Sequence, residues 1–151
     1  MRTLRARRSS EDDGAVLIEF ALVIGLFFLL VFGMVDFGLA INTKTQMTNA
    51  GREGARFGTV NLDPVAVEAR VRELAASLDQ AILTVSVACQ QPDDTPCIGA
   101  GFPAGDLQHA TTGDSVIVTV DYLYNLITPL PGFINSGNDV ALRSVTEMRV
   151  E

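Results

Sequence analysis

Few residues in this chain have the type and spacing that chemistry needs. His109 is the single histidine and lies in a stretch from Gln90 to Gly113 rich in Gly, Pro, Asp and Thr. Its surroundings predict a solvated loop residue rather than a base or a ligand. Asp114 and Ser115 follow it without the G-x-S-x-G setting or any other triad signature. Asp93, Asp94 and Asp106 lack the spacing of an EF-hand. Cys89 and Cys97 flank Gln-Gln-Pro-Asp-Asp-Thr-Pro, which is not the C-x-x-C of a redox pair. Two cysteines and one histidine leave little for a zinc or iron site, which takes three or four such ligands. No phosphate-cradling loop is present. These residues predict a protein that is not an enzyme and needs no cofactor or metal.

The chemistry that remains concerns one carboxylate in an apolar setting. From Ala15 to Ile41 the ionisable residues are Glu19 and Asp36, and Phe20 to Val35 is unbroken Ala, Leu, Val, Ile, Gly, Phe and Met. As a helix, Ala15–Ile41 reaches about 40 Å at about 1.5 Å per residue, more than a hydrocarbon core of about 30 Å. Apolar side chains on every face exclude an amphipathic surface helix, and a transmembrane helix over 15–41 is preferred to a buried core helix. Arg2, Arg5, Arg7 and Arg8 precede the span, whereas Lys44 alone follows within ten residues. Positive flanks stay cytoplasmic, so the C-terminal part is expected outside. A secretory signal cut after Ala40, at Gly38-Leu39-Ala40, is the competing reading.

An acid inside a membrane helix costs about 2.5–3.5 kcal/mol near the bilayer centre, less near the edge, so Glu19 calls for a partner. A cut after Gly14 would free the amine of Ala15 and make Glu19 the fifth residue of the mature chain, which is the spacing of prepilins. Glycine before the cut carries no Cβ and adopts conformations other residues resist. Glu19 would then sit near the positive end of the new helix and beside an ammonium, its own or a neighbour's. The alternative is an interfacial Glu19 reaching for water.

Three blocks then make the chain resemble the TadE-like family, minor pilins or pseudopilins of the Tad/Flp tight-adherence pilus. They are Gly14-Ala-Val-Leu-Ile-Glu19-Phe20-Ala-Leu-Val, Phe32-Gly-Met-Val-Asp36-Phe37-Gly38 and Thr48-Asn-Ala-Gly-Arg52-Glu53-Gly-Ala-Arg56. The resemblance covers about residues 14–56, with a weaker likeness in Arg143–Glu151. Gly25 departs from the family, whose members often carry proline in this helix. The resemblance implies an inner-membrane protein that contributes to pilus assembly, surface adhesion or biofilm formation. It also implies as partners a prepilin peptidase, which would recognise Gly14, Ala15, Glu19 and Phe20, together with other pilin-like subunits and the Tad assembly platform.

Beyond Asp36 the helix is expected to continue. Ala50, Gly54 and Gly58 recur every four residues, with Gly51 and Ala55 beside them, a smooth stripe that lets another backbone approach. It suits either a subunit contact outside the membrane or packing against this chain's own head. Arg56 is within reach of Glu53 as an i,i+3 pair. Asp63 and Pro64 open a second helix as N-cap and first helical position, and Val67, Val71, Leu74 and Leu78 give it an apolar face. Alternation in Leu83–Val87, in Val116–Tyr122 and in Val140–Val150 predicts three strands, with Arg143, Glu147 and Arg149 sharing a face of the third. Outside the cell membrane, Cys89 and Cys97 favour a disulfide over free thiols.

The composition is therefore an average over unlike parts. A net charge of −7 leaves no basic surplus for nucleic acid, and a mean hydropathy of +0.28 belongs mainly to one helix. The expected organisation is a basic leader over 1–14, a transmembrane helix over 15–41, a juxtamembrane extension over 42–60 and an extracytoplasmic α+β domain over 61–151. The fold class is a pilin-like α+β arrangement: a long helix, a short helix and a small antiparallel sheet. The functional expectation is a single-pass minor pilin. Its rivals are an anchored binding domain outside any pilus, acting through the Gln90–Gly113 loop, and a secreted protein.

Overall fold

The structure is a computed structural model that describes residues 9–128 and 139–151, with side chains described from Gly14 onward. Its dominant element is α1 (Ser9–Gly58), 50 residues without a break. At about 1.5 Å per residue it is about 75 Å long, far more than a head of this size can cover. Its two halves differ accordingly. As far as Val35 it is exposed on nearly every face, with Val31 and Phe32 partly covered. From Asp36 on, one face is buried: Asp36, Thr43, Met47, Ala50, Gly51, Gly54, Ala55 and Gly58. That three-and-four spacing is the seam of a helix laid on a core.

After Gly58 the chain turns back, and α2 (Pro64–Leu74) begins as its residues dictate. Asp63 takes extended backbone angles and its carboxylate accepts the Val65 N–H at 2.9 Å, while Pro64 needs no donor partner at the first helical position. Val67 and Val71 are fully buried, as are Ala75 and Leu78 in the turns that follow. Leu74 differs from expectation. It sits at the rim of the α1–α2 seam beside Gln46, Asn49 and Glu53, half exposed, because Ala75 takes the inward position.

The sheet is antiparallel in the order β1 (Leu83–Gln90), β2 (Ser115–Asn125), β3 (Asp139–Arg149). Period-two alternation sends Val116, Val118 and Val120 inward with Leu83, Val85 and Cys89. Arg143, Glu147 and Arg149 stand on the outer face, where Arg143 donates to its cross-strand partner Asp121 at 2.6 Å. α1 covers β2 and β3, and α2 covers β1. Met47 of α1, Val67 and Val71 of α2, the valines of β2 and Leu107 form the core. Leu107 comes from a short 3-10 turn, Leu107–His109, in the region read from sequence as loop throughout.

Contacts along α1 fix the direction of the sheet. Asp36 meets Ile127 and Thr128, just past the end of β2. Thr48 and Ser144 share a hydrogen bond of 3.0 Å, Gly51 lies against Thr146, and Gly58 against Val116, whose partner is Met148. β3 therefore runs in the same sense as α1. The β2–β3 end of the head is level with Asp36, and the opposite end with Gly58. The lengths agree: Asp36 to Gly58 is about 33 Å of helix, and Val116 to Ile127 about 36 Å of extended chain.

Candidate membrane anchor and processing site

Gly14, Ala15, Glu19 and Phe20 all lie on the exposed half of α1. Glu19 makes no hydrogen bond or ion pair to another described side chain. A Cβ added at Gly14 would meet nothing within 4 Å, and the same holds at Gly25, Gly33 and Gly38. A helix-interior glycine costs about 1 kcal/mol against alanine, and these four gain no packing within the chain in return. Phe28 lies between Phe27 and Phe32, with ring centroids 5.8 and 5.7 Å away, on a largely exposed surface. One helix is thus long and apolar enough to cross a membrane, and its most apolar window is 0% buried. A core helix of a soluble protein would be covered.

The glycines farther along α1 behave oppositely. A Cβ on Gly54 would fall 2.1 Å from Cγ2 of Val71, and one on Gly58 would fall 2.8 Å from Cγ1 of Val116. Ala50 is buried in the same seam. Of the two readings of the Ala50, Gly54, Gly58 stripe, the structure gives packing against the chain's own α2 and β2. The stripe is closed by the head and offers no surface to another subunit.

Asp36 is the residue whose role sequence reasoning missed. It is only 6% exposed, and its carboxylate accepts from the Ile127 N–H at 3.1 Å, the Thr128 N–H at 3.3 Å and the Thr128 hydroxyl. The partners stand ninety residues away in sequence, so no local pattern announces them. The available signal was the one applied to Glu19: an acid that interrupts an apolar run needs a partner. Tyr124 lies close by, with its hydroxyl buried and without a hydrogen-bond partner among the described residues. Burial, with the Asp36 carboxylate nearby as the smaller cause, pushes the phenol above its ordinary range.

Cys89 and Cys97 form a disulfide with their Cα atoms 5.4 Å apart. Backbone bonds extend the staple: Cys89 N–H to Gly105 O at 2.8 Å, Cys97 N–H to Cys89 O at 3.2 Å and Gly105 N–H to Cys97 O at 2.7 Å. Asp114 lies beside the two sulfurs, but sulfurs bonded to each other are not thiolate ligands, and its carboxylate already accepts from the Thr111 N–H and hydroxyl at 2.8 Å. His109 is half-buried rather than solvated. It packs on Gly99 and edge-on against Phe102, with Nε2 3.2 Å from the Phe102 carbonyl. The loop acids serve turns: Asp106 caps the 3-10 turn through Gln108 N–H, and Asp93 accepts from Thr95, which holds its carboxyl below the usual range. Arg56 and Glu53 pair at 2.9 Å as their spacing predicts, Arg56 exposed and Glu53 partly covered, and the pairing lowers the Glu53 carboxyl and raises the Arg56 guanidinium.

With this geometry in place, the family comparison falls on the long helix. The family model described as TadE-like protein matches residues 14–56. The match begins at the glycine of the expected cut and runs through the exposed half of α1 into the seam that α2 and the sheet cover. No curated protein and no solved structure matches the chain.

Proposed function

From a TadE-like segment at residues 14–56, we propose that this protein is a membrane-anchored minor pilin or pseudopilin of a Tad/Flp-type pilus, acting by assembly rather than catalysis. One observation carries the reading: the apolar first half of α1 stays exposed on nearly every face among the described residues, while its second half is the spine of the head. Lipid, or the helices of other pilin-like subunits in lipid, would cover that surface. Gly25, Gly33 and Gly38, open to close approach, suit helix–helix packing where no hydrophobic drive exists between helices.

The cytoplasmic leader, the cut after Gly14 and the recognition of Gly14, Ala15, Glu19 and Phe20 by a prepilin peptidase belong to the same proposal. Glu19, unpaired with any described residue, is free to meet an N-terminal ammonium. Secretion after Ala40 is disfavoured: that cut would remove Asp36, and with it the carboxylate that holds Ile127 and Thr128.

The test is the intact mass and N-terminal sequence of the protein from membranes, with and without the peptidase. An N-terminus at Ala15 that depends on the peptidase supports the pilin reading. An N-terminus at Ile41 would sink it, and an uncut membrane-bound chain would point to an anchored domain outside the pilus. Glu19→Ala should impair processing or assembly; a variant that is cut and assembled normally removes the role given to the acid.

A further inference from the structure

The end of the head level with Asp36 carries, among its described residues, an exposed apolar side chain. Ile127 is 73% exposed, although its own N–H is tied to the Asp36 carboxylate at 3.1 Å. Phe37, next to Asp36 on α1, is 69% exposed. Isolated exposed apolar residues are ordinary, so depth decides what this pair means. From Ala15 to Val35 a helix advances about 30 Å at about 1.5 Å per residue, which is the thickness of a hydrocarbon core. With Ala15 at the inner boundary of that core, Asp36 falls at the outer one, the run on to Ile41 lies at headgroup depth, and the Ile127 N–H is tied to Asp36 at that level. The sheet rises away from that level toward Gly58, so Ile127 and Thr128 lie lowest among the head's described residues.

We propose that this end is seated on the lipid surface, with Ile127 and Phe37 entering the headgroup region and Asp36 acting as the latch that sets the head at that depth. The inference rests on the membrane-anchor reading above and adds a second point of attachment to it. Its physical logic is a matched pair. A carboxylate at the boundary must not face hydrocarbon, and Asp36 avoids this by accepting three hydrogen bonds from the β2–β3 end. The same bonds bring Ile127 to a depth where its exposed apolar surface exchanges water for lipid, which is favourable. The head would stand fixed on the membrane instead of swinging from α1.

Fluorophore scanning of the full chain tests this in nanodiscs of phosphatidylethanolamine and phosphatidylglycerol. Single cysteines are introduced and labelled without reductant, keeping the native disulfide: Ile127→Cys at the seat, Leu26→Cys in the span and Val145→Cys on the outer face of β3. Nitroxide on lipid headgroups should quench the label at 127 at least twofold and leave the label at 145 unchanged, while an acyl-chain nitroxide quenches the label at 26. Adding Asp36→Ala should lower the quenching at 127. A label at 127 that matches the one at 145, with 26 still quenched, overturns the lipid seat and leaves the anchor standing. Loss of quenching at 26 overturns the anchor and the seat together. A label at 127 shielded from aqueous iodide yet untouched by lipid nitroxide assigns this end to a neighbouring protein and overturns the proposal.

Discussion

At the scale of single residues, the two acids of the apolar run divide the labour of α1. Glu19 has no partner among the described residues, whereas Asp36 is saturated by Ile127 and Thr128. Their substitutions should therefore separate. Asp36→Ala leaves three donors without an acceptor and should destabilise the head by about 2–4 kcal/mol in urea titrations followed by circular dichroism in detergent. Glu19→Ala should leave that transition within about 0.5 kcal/mol, because it removes nothing the fold uses. Tyr124 offers a third measurement. Its buried hydroxyl lacks a partner among the described residues, so Tyr124→Phe should be neutral or stabilise by about 1 kcal/mol. The sign of its pH effect follows from the raised phenol. The unfolded chain ionises first, so stability present below about pH 10 falls as pH rises past it. The Phe variant should lose that alkaline decline.

Elements depend on close approach. Glycine at 54 weakens α1 by about 1 kcal/mol relative to alanine, yet the seam with α2 needs the missing Cβ because Val71 occupies its place. Gly54→Ala should therefore destabilise by about 1–3 kcal/mol despite its better propensity. Adding Val71→Ala should recover part of that loss, a coupling that a double-mutant cycle reads directly. Gly25→Ala, with open space around it, should leave the head's transition unchanged. The Cys89–Cys97 staple closes a short loop, and replacing both cysteines with serine should cost about 2–3 kcal/mol in the same assay. The second helix, its cap at Asp63 and the three strands were legible from local pattern alone. The 3-10 turn at Leu107–His109 was not, since three residues carry no period and Leu107 is buried by β1 and α1 rather than by its neighbours in sequence.

For the whole molecule, one continuous helix has an exposed apolar half and a covered half, and the head is built on the second. Met47, Ala50 and Ala55 of its second half accordingly belong to the head's core. The TadE-like match spans both halves, the exposed apolar surface and the packing seam. If the proposed seat holds, anchor and head move together, and any assembly force on α1 is transmitted to the head through Asp36 as well as through the seam.

The sequence by itself determined the apolar span, the two helices, the three strands with their faces, the Arg56–Glu53 pair and the TadE-like resemblance, because each is written in residues that are neighbours along the chain. The acids at 19 and 36 looked alike there, and the Ala50, Gly54, Gly58 stripe suited a neighbouring subunit as well as the chain's own head. Only the tertiary structure separated them. Folding β2 and β3 alongside α1 brings Thr128 to Asp36 and Val116 to Gly58, and contacts between residues so far apart in sequence leave no periodic trace in it.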